Sequence, residues 1–340
     1  MSAPQAKPSQ PQKKKHHFIP QTYLEQFTDE RGKLLFYRKD DPENPLPMTP
    51  DNVGHRRYYY SQPIPGGGQD NNGLEDLFSE TETHWGPIVR KIRNDESINA
   101  DLENLLQFVS LLRVRVPAIR DAAEFMFADL AKETLHELDR LGKLPTMPEG
   151  VGDLLENVEI TIDPHQSIHA MPHMMYGFAQ LLDMIGFKIL RNKTGLSLLT
   201  NDNPVIVLDP DVHEKSLQPY KVRPPSRRVE IIMAIDPWHM LHGHTDYKYA
   251  YSRQGIIYED SHSVSFVKRA NRLVTRYGYE AIYASNNEHA PLIEKYASLS
   301  PIPEFKVMPY EGGEAMIHGW KFGQRLVKPK WESREEEQVT

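Results

Sequence analysis

At 340 residues, the chain is long enough to bury a substantial core, as one large domain or two small ones. Its formal charge of −7 excludes a global basic field, so any contact with phosphates has to come from a local basic patch. The absence of cysteine excludes disulfides, thiolate zinc sites and cysteine nucleophiles, and no apolar run approaches the roughly 20 residues needed to span a bilayer.

Residues 1–15 are rich in Pro, Gln, Ser and Lys, too polar to pack, and carry no apolar stretch of the kind a secretory signal needs. A loose leader, a cytoplasmic protein and no membrane partner are the resulting expectations. Lys13-Lys14-Lys15 reads as part of that solvated leader in preference to an anion contact. The first segment able to pack runs from His16 to Phe27. Tyr23, Leu24 and Phe27 share one face if residues 21–27 are helical. In a strand, His16 and His17 would point to opposite faces, one inward and one wet. A strand follows at 33–38, and Asp40 to Pro50 reads as a Pro- and Asp-rich loop. Tyr58-Tyr59-Tyr60 reads as a short buried strand, structural in preference to a stacking platform. The glycines of 66–68 and Asn71-Asn72-Gly73 form a loop that lacks the Gly-Lys-Ser/Thr ending of a phosphate-binding loop.

Helical spacing then dominates. Leu74, Leu77, Phe78, Trp85, Ile88, Val89 and Ile92 predict one helix over 74–93. Leu102, Leu105, Leu106, Val109, Leu112 and Val116 predict a second over 100–116, with Asn99 as its cap and Pro117 as its break. A third runs from 118 to 142, with Ile119, Ala123, Met126, Phe127, Leu130 and Leu141 inward. A strand is expected at 157–162 and a helix at 167–191. Strands follow at 196–199, 205–208 and 229–234, a helix at 264–276 and a last strand at 280–283. The tail from Lys328 is charged and loose. This order predicts an α+β fold: a single mixed domain over 16–327, with a helical middle over about 74–191 and a sheet built from N- and C-terminal strands.

The His16-His17 pair with Pro20, Tyr23, Leu24 and Phe27, followed by Gly32 and Leu34-Leu35-Phe36-Tyr37, resembles the start of an uncharacterised bacterial family called domain of unknown function 4238. Leu74-Glu75 through Glu82, Arg113-Val114-Arg115-Val116-Pro117, Thr200-Asn201-Asp202-Asn203-Pro204-Val205, Ala270-Asn271 and Ile282-Tyr283 follow in the same order. The resemblance spans roughly residues 13–286. It implies relatedness and no particular activity.

Four constellations could carry chemistry. Asn201-Asp202-Asn203-Pro204 lies between two apolar strands; Asp and Asn suit a tight turn, while Asp202 and Asn203 at a strand end also suit a cation, a base or a bound ligand. His16 and His17 could meet Glu82, giving imidazole and carboxylate for a divalent metal or an acid–base pair, and Glu75 shares a face with Glu82. Arg113 and Arg115 point about 200° apart on a helix, so one faces a site; Arg115 is the one expected inside with an anionic partner, Arg113 a surface charge. His165, His169 and His173 have helix-borne ligand spacing but lack the following glutamate, and Pro172 interrupts them. His239, His242 and His244 form a further cluster, expected in a loop.

The chemistry of these residues supports two readings. In one, His16, His17, Glu82, Arg115 and Asp202 line a single pocket and hydrolyse a phosphate ester of a nucleic acid or nucleotide. A divalent metal on His17 and Asp202 would activate water there, with Tyr23, Asn203 and Asn271 contacting substrate. In the other, the protein is a non-catalytic binding or sensing module whose polar cluster is structural.

Overall fold

A computed structural model describes residues 12–145, 158–222, 227–310 and 313–326 of the chain. The expected tail from Lys328 and most of the expected leader lie outside them. Lys13 belongs to the body: its amide donates to Asn72 Oδ1 at 2.9 Å and its ammonium pairs with Asp76 at 2.8 Å.

Lys15–His17 forms β1, followed by the short helix α1 (Gln21–Leu24), β2 (Leu34–Arg38), β3 (Asp41–Met48) and β4 (His55–Arg57). β3 occupies the stretch expected as a loop. Its prolines are tolerated because β3 is the edge of a four-stranded sheet and pairs with β2 alone. Tyr58 to Tyr60 make a turn, not a strand. A two-residue pair, β5 (Gln62–Pro63) and β6 (Gln69–Asp70), closes the glycine loop.

The helical middle is α2 (Gly73–Glu82), α3 (Trp85–Arg93), α4 (Leu102–Val114), α5 (Pro117–Arg140) and α6 (Pro164–Leu182). The helix expected over 74–93 is two helices, separated at Thr83 and His84. Pro87 lies in the first turn of α3, where a missing amide donor costs nothing, so it marks a helix start. Leu77, Met126, Leu130 and Leu141 are exposed, so α2 and the distal part of α5 bury fewer stripe residues than their spacing predicts. Residues 158–162 form no strand. The helix expected to reach 191 ends at Leu182, and Gly186–Asn192 is a strand, β7. A Cβ at Gly186 would lie 2.5 Å from the Tyr247 backbone, so this strand passes where only glycine fits.

The later chain gives β8 (Thr200–Asn201), β9 (Ile206–Leu208), β10 (Glu230–Asp236), β11 (His239–His244), α7 (Lys248–Gln254), β12 (Ile257–Ser261), α8 (Val264–Tyr277), β13 (Ala281–Ala284), α9 (Ala290–Tyr296), β14 (Ser300–Tyr310) and β15 (Gly313–Gly323). Residues 196–199, expected as a strand, are extended coil leading into β8. One sheet has the order β3-β2-β13-β8, joining N- and C-terminal strands as expected; the other has the order β12-β7-β11-β10-β9. One continuous apolar core connects the helices to both sheets. The fold is α+β, a single mixed domain. No helix among the described residues is long and apolar enough to cross a membrane.

Candidate functional site

Strand alternation separates the two histidines. β1 pairs antiparallel with β4, His16 opposite Arg56 and His17 opposite His55. His16 is fully buried and stacks on Tyr60, ring centroids 5.9 Å apart. The Tyr60 amide donates to its Nδ1 at 2.8 Å, so Nε2 carries the hydrogen and donates to the Lys13 carbonyl at 3.2 Å. Both ring nitrogens are thus used in holding β1 to the turn. His17 is half-buried on the other face, against His55, with its Nε2 3.3 Å from the Asp51 carbonyl. Burial pushes the His17 imidazole down to about 4.

Arg115 caps the C-terminal end of α4, just before the extended Val116 and the start of α5 at Pro117. Its side chain is buried, as expected, and its Nη1 donates to Glu82 Oε1 at 2.7 Å while Nε donates to the Phe18 carbonyl at 3.0 Å. Tyr60 donates its hydroxyl hydrogen to the Arg115 carbonyl at 2.9 Å. Arg115 Nη2 and Glu75 Oε1 are both buried without a hydrogen-bond partner among the described residues. Burial, reinforced by Glu82 and opposed by Arg115, pushes the Glu75 carboxyl up to about 7. Arg113 is not the surface charge its helix position suggests: its guanidinium lies 3.8 Å over the Tyr220 ring and its Nη1 is wholly buried. The sequence also gave no prominence to Arg120, five residues on. It is buried, bonding Ser167 Oγ and the Tyr59 and Pro164 carbonyls, and the Ser167 hydroxyl donates to Glu124 at 2.7 Å.

Asp202 lies at a different place. Its Oδ1 accepts from the Tyr279 amide at 2.6 Å, and its Oδ2 from the amides of Glu280 at 2.6 Å and Ala281 at 3.2 Å. Its electrostatic partner is Lys39, whose ammonium donates to the carbonyls of Thr275 at 2.9 Å, Gly278 at 2.6 Å and Leu299. Burial raises the Asp202 carboxyl and lowers the Lys39 ammonium, each opposed by the other's charge. Asn203 donates to the Tyr277 carbonyl at 2.9 Å and to the Tyr220 hydroxyl. Asn271 bonds the Leu199 amide at 3.0 Å and the Ser197 carbonyl at 2.9 Å. The Tyr23 hydroxyl, fully buried, donates to the Ala234 carbonyl and approaches Thr200 Oγ1, both at 2.7 Å.

The single pocket expected from the sequence is therefore three separate places. Glu82 and Arg115 meet, with Glu75 and His17 close enough to feel the Arg115 charge. Asp202 and Asn203 belong to the end of α8 and the start of β13, and Asn271 to the inner side of α8. His17 and Asp202, the expected metal ligands, share no partner among the described residues. His239, His242 and His244 lie on strand β11, not in a loop; His242 bridges Glu230 at 3.0 Å and the Tyr247 hydroxyl at 3.1 Å. His169 and His173 are exposed on α6, and His165 pairs with Asp163. Among the described residues, no group of three or more His, Asp or Glu side chains is placed to hold a metal ion.

Asp202 does underlie an open site. The backbone it clamps, Tyr279 and Glu280, lines a cleft of about 840 Å³ whose walls also carry Phe36, Arg38, Lys39 and Arg325. The Arg38 and Arg325 side chains are 47% and 40% exposed, so their guanidinium groups are open to a ligand. Arg38 pairs with Asp41 at 2.6 Å and Arg325 with Glu280 at 3.0 Å. The sequence held no signal for this cleft, because its residues come from β2, the turn before β13 and the two ends of the β14–β15 hairpin.

No curated protein and no solved structure matches the chain. A family model described as a protein of unknown function (DUF4238) matches residues 15–288. That span takes in β1 through β13 and every candidate residue named above except Arg325, and the chain belongs to this family.

Proposed function

We propose that the protein is a non-catalytic binding module for a phosphate-bearing ligand, a nucleotide or nucleic acid, taken into the cleft between Arg38 and Arg325. The cleft carries this reading. Its volume of about 840 Å³ falls in the range of small-molecule sites. A guanidinium has five N–H donors in a planar fork suited to phosphate; Arg325 spends part of its fork on Glu280 alone, and Arg38, held by Asp41 at 2.6 Å and more loosely by Asp40 at 3.7 Å, keeps donors for a ligand. Phe36, stacked on Tyr283 at 5.9 Å, supplies an apolar wall for a base.

Binding is favoured over catalysis because the residues expected to react are engaged within the protein: His16 by backbone groups, Asp202 by three amides and Lys39. Hydrolysis at a phosphate ester, with a divalent metal, draws support from one observation. Glu75 sits near half-protonation at neutral pH beside Arg115, as an acid–base group would.

Calorimetric titration with a nucleoside triphosphate, with and without magnesium, tests the proposal. Saturable binding that Arg325→Glu weakens by about tenfold or more, with no phosphate released, is the expected result. Absence of binding by the unmodified protein would sink it. Metal-dependent phosphate release lost in Glu75→Gln would transfer the case to the hydrolase.

A further inference from the structure

We propose that the β1–β4 ribbon is a contact surface for the backbone of a single-stranded nucleic acid. The proposal rests on the reading of the cleft and extends it from one nucleotide to a strand. The ladder sets Lys15 opposite Arg57 and His17 opposite His55. Alternation places these four side chains on one face of the ribbon and His16 with Arg56 on the other. The inner face is packed, His16 on Tyr60 and Arg56 over Tyr59 at 5.3 Å. The outer face therefore carries two cations and two imidazoles.

Like charges opposed directly across a ladder destabilise it. Here Asp51 is the one acid paired on that face, 2.9 Å from Lys15 Nζ, and Arg57 has no ion pair among the described residues. Lys14 extends the charged edge: it is exposed, and its carbonyl accepts from the Tyr58 amide at 3.1 Å. A local conflict of this kind in an otherwise acidic chain marks a surface kept for a partner.

Tyr58 supplies the second observation. It is 37% exposed and held at φ 53°, a left-handed conformation that tyrosine rarely adopts. The Arg57 guanidinium lies 5.4 Å over its ring. An exposed aromatic beside free guanidinium donors is a stacking platform for unpaired bases, and base stacking distinguishes a single strand from a duplex, whose bases are covered. Arg56 from this ribbon and Arg325 from the cleft bond the same Glu280 oxygen, at 2.8 and 3.0 Å. The ribbon's inner face and the cleft are thus neighbours.

The test is fluorescence anisotropy with a labelled oligothymidylate of about twenty nucleotides at low and moderate salt. The unmodified protein should bind it more tightly than a mononucleotide, with affinity falling as salt rises. Lys14→Glu with Arg57→Glu should weaken the oligomer by about tenfold or more and flatten the salt dependence, leaving mononucleotide binding unchanged. Tyr58→Gly relieves the left-handed backbone, so it keeps the fold, and should weaken the single strand several-fold. Unchanged oligomer affinity in both variants overturns the proposal, as does equal or tighter binding of a duplex or of anionic vesicles. Mononucleotide binding with no gain from the oligomer also overturns it and leaves the cleft standing. Ribbon-dependent oligomer binding without mononucleotide binding keeps the ribbon and overturns the cleft.

Discussion

Trp85 lies flat against Phe108, with ring centroids 4.3 Å apart and planes 10° from parallel. The pair joins α3 to α4, and Tyr23 packs on both rings at 5.6 and 6.4 Å. Trp85 is fully buried, so Trp85→Ala should cost roughly 3–5 kcal/mol, the range for emptying a large aromatic site. Urea denaturation measures it. A change under about 1 kcal/mol would mean the three rings repack around the loss.

Asp202→Asn is predicted to be strongly destabilising. A turn-forming Asp tolerates this change, because an amide oxygen still accepts the local bond. Here the two oxygens accept three amides, so in either orientation the new NH2 group confronts a backbone N–H. Lys39 also loses its counter-charge. Breaking one side of a buried pair costs about 3–5 kcal/mol. A double-mutant cycle with Lys39→Met should show coupling, since both variants disrupt the same support of the cleft. Additive losses would separate the two residues.

His17 and Glu75 should give pH dependences of opposite sign. The imidazole falls from 6.5 to about 4, so between those values the unfolded chain binds a proton that the folded chain lacks. Stability from this group is lost as pH falls through that window. The Glu75 carboxyl rises from 4.5 to about 7, so the folded chain keeps a proton that the unfolded chain has released. Stability from this group is lost as pH rises from 4.5 to 7. Each contributes up to about 1.4 kcal/mol per pH unit. Glu75→Gln should gain on the parent as pH rises, and His17→Asn should gain as pH falls. Parallel stability curves for parent and variants across pH 4–7 would refute both assignments.

Elements defined by an uninterrupted stripe were legible in the sequence. Leu102 to Val114 and Val264 to Tyr277 follow their apolar spacing, and β2 follows its own. Errors arose where a local signal was overridden. Prolines in β3 read as a loop, yet this strand has a ladder on one side only, so the missing amides are tolerated. The helix expected over 167–191 takes in Phe187, but this residue belongs to β7, which runs beside the Tyr247 backbone. Single residues fared similarly. The alternation argument placed one histidine inward, and helix geometry placed Arg115 inside. Neither rule could locate Asp202 relative to them, because its neighbours Tyr279 to Ala281 and Lys39 are brought in by pairing between remote strands. The cleft was invisible for the same reason.

The pairing of β13 with β2 has a consequence for synthesis. Ala281 lies opposite Arg38, and β13 separates β2 from β8. A ribosome adding about 5–20 residues per second needs roughly 10–50 s to make the chain between those partners. Throughout that interval the inner edge of β2 has no ladder partner, although β3 already covers its other edge. The half-made chain therefore carries an open, apolar strand edge, Leu34-Leu35-Phe36-Tyr37, that any second nascent chain could pair with. Translation speed and chaperone supply, more than the stability of the finished fold, should govern how much of this protein is recovered in native form.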